Sequence, residues 1–101
     1  MKIEILHVAN CPNHAVALER LREVLSAEKF QAQVSEILVD DAALARSLRF
    51  PGSPTIRVNG RDVEPQTEHA ASFAIACRLY SDGTGAPSKQ SLRAAIEKAR
   101  G

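Results

Sequence analysis

Two cysteines, Cys11 and Cys77, and three histidines, His7, His14 and His69, carry most of the reactive chemistry in this chain of 101 residues. Cys11 opens the run Cys11-Pro12-Asn13-His14, so a thiol and an imidazole stand three residues apart. On a helix that spacing brings two side chains to neighbouring positions. Pro12 suits the first helical position, where its missing N–H leaves nothing unsatisfied. Cys11 then falls at the N-cap or beside it. A thiolate there faces unpaired N–H groups and the positive end of the helix dipole, and both favour the anion. His14 adds positive charge as an imidazolium or accepts the thiol proton as a neutral ring. These residues predict a nucleophile, Cys11, tuned by His14. The plainer alternative is a buried cap at Cys11 and a solvent-facing ring at His14.

A nucleophilic thiol of this kind attacks a disulfide, and a second thiol normally resolves the mixed disulfide. His14 cannot resolve it. Three outcomes stay open: glutathione or another thiol resolves, Cys77 resolves, or exchange is not the function. Cys77 read by itself is a packed core thiol. A metal reading competes, because Cys11 and His14 have Cys-x-x-His spacing and Cys77 offers a third donor to a soft or borderline ion. Two ligands three apart make a weak zinc signal, and no resident cofactor is expected. His7, in a strand, and His69, in a polar stretch, read as packed or solvated histidines.

The elements that must position these groups follow from patterning. Lys2 to Ala9 reads as a strand with apolar residues on both faces, suited to the interior of a covered sheet. Val16, Leu18, Leu21, Val24 and Leu25 recur at helical spacing, and that helix is expected to end near Glu28-Lys29. Ala32 to Val39 is a second strand. Asp40-Asp41 suits the start of a helix over Ala42 to Leu48 better than a catalytic pair. Phe50 to Pro54 breaks that helix, and Thr55 to Val58 is a third strand. Asn59-Gly60 fits a type I′ hairpin turn, after which Arg61-Asp62-Val63 begins a returning strand. Glu64 to Ala71 reads as a loop or short helical turn, and Phe73 to Tyr80 as the place of a last strand. Ser81 to Pro87 is a loop, and Ser88 opens a final helix carrying Leu92, Ala95, Ile96 and Ala99. The order is β-α-β-α-β-β-α, with a parallel crossover between the first two strands and helices on both faces of a mixed sheet of about four strands.

Several stretches resemble the thioredoxin-like family. Cys11-Pro12-Asn13-His14 stands after the first strand and opens a helix, as the redox motif does there. Gly52-Ser53-Pro54-Thr55 precedes the third strand, where thioredoxins carry a cis-proline followed by Thr. Gly85-Ala86-Pro87-Ser88 leads into the last helix in a similar way. More narrowly, the chain is similar to small bacterial thioredoxin-like proteins with a Cys-Pro-Asn-Cys or Cys-Pro-Asn-His motif, sometimes labelled alkylmercury lyases. Phe50 to Thr55, Val58 to Pro65 and Cys77 to Tyr80 carry that likeness, and His14 stands where ordinary thioredoxins have a second Cys. The resemblance implies a three-layer sandwich and a cis peptide at Ser53-Pro54. It also implies a substrate edge at Ser53, Pro54 and Thr55, whose main chain hydrogen-bonds an extended peptide. Partners would be protein or small-molecule thiols and disulfides, or, if the site is a binding module, a metal or an organomercurial.

Bulk properties bound the rest. The length suits one domain, 1–101, and apolar residues at 45% with charged residues at 25% give an ordinary globular balance. A formal net charge of +1 provides no field to recruit nucleic acid or an anionic membrane. Arg46, Arg49, Arg57 and Arg61 read as a solvated surface. Gly83 and Gly85 lack the strand-to-helix context of a phosphate loop. No apolar run reaches the roughly 20 residues of a bilayer span, and no signal-peptide pattern opens the chain, so a cytoplasmic protein with free thiols is expected.

Overall fold

The computed structural model describes residues 1–64 and 75–100. Among them the order is β1 (Lys2–His7), α1 (Pro12–Ala27), β2 (Gln33–Leu38), α2 (Ala42–Ser47), β3 (Thr55–Val58), β4 (Arg61–Asp62) and α3 (Lys89–Arg100). This is the expected β-α-β-α-β-β-α sequence of elements. The four strands form one open mixed sheet in the order β2-β1-β3-β4. β1 runs parallel to β2 and antiparallel to β3, and β4 pairs antiparallel with β3.

The two faces of β1 account for two cores. Ile3 and Ile5, with Ile56 and Val58 of β3, meet Ala17, Leu21 and Val24 of α1 and Leu92 and Ile96 of α3. Leu6 points the other way and packs with Val39, Ala45 of α2 and Phe50. Alternation along a strand dictates this division, and apolar residues on both faces of β1 are its sequence trace. On α1 the buried stripe is Ala17, Leu21 and Val24, while Val16 remains 36% exposed, so the inward position of the second turn belongs to Ala17.

Local rules set the element ends. Asp41 caps α2 by accepting from the Leu44 N–H at 2.7 Å. α1 and α2 both close with a residue at positive φ, Lys29 (55°) and Arg49 (52°). In α1 the N–H groups of Lys29 and Phe30 return to the carbonyls of Ser26 and Leu25, and in α2 those of Arg49 and Phe50 return to Arg46 and Ala45. This is the Schellman arrangement, built without glycine. Asn59 and Gly60 both have positive φ (50° and 84°), as a type I′ turn requires.

The expected last strand within Phe73 to Tyr80 is corrected from Ile75 onward; Phe73 and Ala74 lie outside the described residues. Among the described residues the stretch 75–80 joins no sheet and makes one isolated parallel bridge, between Cys77 and Ser53. It still alternates, with Arg78 and Tyr80 buried and Cys77 and Leu79 exposed. The 75–80 stretch can lie this close because residue 52 is glycine. A Cβ on Gly52 (φ +137°) would stand 2.9 Å from Arg78 Cβ and 3.1 Å from its Cα.

Candidate functional site

β1 ends at His7, the chain turns through Asn10 at φ 59°, and α1 starts with Cys11 as its N-cap and Pro12 in its first turn. Cys11 is partly exposed, and its sulfur makes no capping hydrogen bond. Its carbonyl accepts from the His14 N–H at 3.2 Å. The thiol therefore sits at the N-terminal end of a 16-residue helix without being spent on closing it. The placement of Cys11 is as expected.

The His14 ring has partners that local sequence does not announce. It stacks on His7 with ring centroids 3.8 Å apart and planes 6° from parallel. Its Nε2 lies 2.7 Å from Glu36 Oε1. That contact is short but out of line for a hydrogen bond, and the buried Nε2 has no aligned hydrogen-bond partner. The register explains the grouping. Ile5 pairs with Glu36 and His7 with Leu38, so His7 and Glu36 project from the face of the sheet that α1 covers. His7, His14 and Glu36 form a set in which one ligand-type atom from each lies within 4.8 Å of the others. Neither cysteine belongs to this set. His69 lies outside the described residues.

At the expected substrate edge the chain itself bonds to Ser53. The Ser53-Pro54 peptide is cis. Ser53 donates its N–H to the Ala76 carbonyl at 2.8 Å and accepts from the Arg78 N–H at 3.0 Å. Its hydroxyl accepts from the Val8 N–H at 3.0 Å. Ser53, Pro54 and Thr55 are buried. The Thr55 hydroxyl donates to the Gly52 carbonyl at 2.6 Å and accepts from Arg78 at 3.1 Å. Both main-chain groups of Ser53 are thus already bonded to residues 76–78.

Cys77 is exposed rather than packed in a core, because alternation along 75–80 turns it to the side opposite the buried Arg78 and Tyr80. Arg78 was not a sequence candidate for any role. It is 4% exposed, and its guanidinium grips both Asp62 oxygens (2.7 and 3.1 Å), bonds the Glu64 carbonyl and lies over the Tyr80 ring at 4.3 Å. Tyr80 donates its hydroxyl to the Pro54 carbonyl. Burial pushes the Tyr80 phenol well above its ordinary range, Arg78 opposes that, and negative charge on Asp62, Glu64 and Cys11 adds to it.

Period-two reading of β2 would have placed Glu36 with Val34 and Leu38, but only the register with β1 brings it to His7. Comparison of the chain with protein-family models, with curated proteins and with solved structures gave no match. No helix among the described residues is long and apolar enough to cross a membrane.

Proposed function

We propose that this chain is a thioredoxin-like protein whose one reactive thiol, Cys11, undergoes exchange with a protein or small-molecule disulfide. The observation that carries the reading is the partly exposed Cys11 at the N-cap of α1, its sulfur free of capping duty. In the reaction the Cys11 thiolate attacks one sulfur of the disulfide, forms the mixed disulfide and expels the other sulfur as a thiolate. A second thiolate, from a small thiol such as glutathione, then attacks the mixed disulfide and releases Cys11 as a thiolate. The exposed Cys77 is the alternative resolving group within the chain. Substrate contact runs through the surface around Cys11, since the Ser53 main chain is engaged by residues 76–78.

The test compares the two thiols inside one molecule. Exposure alone favours Cys77, so a faster Cys11 reports activation by its surroundings. Alkylation by iodoacetamide at pH 6.5, followed by peptide mass spectrometry, is expected to modify Cys11 at least about tenfold faster than Cys77. Equal rates, or a faster Cys77, would overturn the reading. A second reading, a metal-binding module, is favoured by one observation, the grouping of His14 with His7 and Glu36.

A further inference from the structure

We propose that His7, His14 and Glu36 form a binding site for a divalent transition-metal ion of the zinc type. Two imidazoles and one carboxylate are a donor set for zinc and its neighbours rather than for magnesium or calcium, and three protein ligands leave a position for water or another ligand. The three donor atoms already lie within 4.8 Å of one another. Bonds of about 2.0–2.2 Å place tetrahedral ligands about 3.4 Å apart, so the set must close by little more than an ångström. The 2.7 Å approach of His14 Nε2 to Glu36 Oε1 is closer than that before any ion enters.

The second observation is the buried His14 Nε2 without an aligned hydrogen bond. Buried polar atoms are nearly always satisfied, and an ion between this nitrogen and Glu36 satisfies it. His7 is prepared for the role. Its Nδ1 lies 3.3 Å from the Val8 carbonyl, and a proton donated there leaves the lone pair on Nε2. A backbone carbonyl on the other ring nitrogen is the usual outer partner of a metal-bound histidine. The stacked rings cannot share an ion as they stand, because each binds in its own plane and the planes are nearly parallel. Binding therefore turns the His14 ring about its Cβ–Cγ bond, and Glu36, with a side chain 44% exposed, follows it.

Titration of the metal-free full-length protein with zinc by calorimetry, and with cobalt by visible absorption, tests the site. One ion per chain is expected. Glu36→Gln, an exposed and nearly isosteric change, and His14→Ala are each expected to weaken binding at least about tenfold with an unchanged far-ultraviolet circular dichroism spectrum. Cys11→Ser removes the thiol and is expected to leave metal affinity within about threefold, so this proposal and the exchange reading fail separately. No saturable binding at one ion per chain, binding indifferent to Glu36→Gln and His14→Ala, or binding lost in Cys11→Ser would each overturn it.

Discussion

Arg78 sits almost wholly out of water, and its guanidinium spreads over Asp62, Thr55, the Glu64 carbonyl and the Tyr80 ring. A planar fork reaches these acceptors together, whereas an ammonium is a single point. Arg78→Lys is therefore expected to destabilise the fold by about 2 kcal/mol, read as a lower urea midpoint with an unchanged slope. At this scale the sequence revealed what local chemistry governs. Cys11 before Pro12 and Asp41 before Ala42 announce helix starts through capping alone. His7, Glu36 and Arg78 were not legible, because their partners depend on strand register and on how residues 75–80 dock against Ser53. The three-residue group that does assemble contains neither cysteine. Spacing along α1 places His14, and only the β1–β2 pairing supplies Glu36.

Among the elements, the helix ends offer the sharpest contrast. Lys29 adopts a left-handed conformation at the close of α1, where glycine has no Cβ to strain. Lys29→Gly is expected to raise stability by roughly 0.5–1 kcal/mol, the relief of that strain exceeding the added freedom of the unfolded chain. Chemical denaturation measures it. The order of elements was legible because periodicity changes cleanly from two to 3.6 and the breaks fall at Pro, Gly and Asn. The stretch ending at Tyr80 misled because its apolar composition looks like a strand. Buried Arg78 and Tyr80 satisfy its inward side instead, and a single bridge replaces a ladder.

For the molecule as a whole, Tyr80 ties stability to alkaline pH. Its folded-state phenol is held well above the unfolded value of about 10, chiefly by burial. The unfolded chain then loses that proton first. The contribution is complete below about pH 10 and drains away as pH rises toward the folded value, at up to about 1.4 kcal/mol per pH unit. Wild type is expected to lose stability faster than Tyr80→Phe above pH 10, and urea melts at stepped pH values compare the two slopes. The close approach at Gly52 reaches further still. In a saturation mutagenesis library that position would be depleted as severely as a reacting residue, although no reacting atom is there. Any side chain pries the Arg78 backbone from its seat, so depletion at 52 should follow loss of cellular abundance, while depletion at 11 should leave abundance intact.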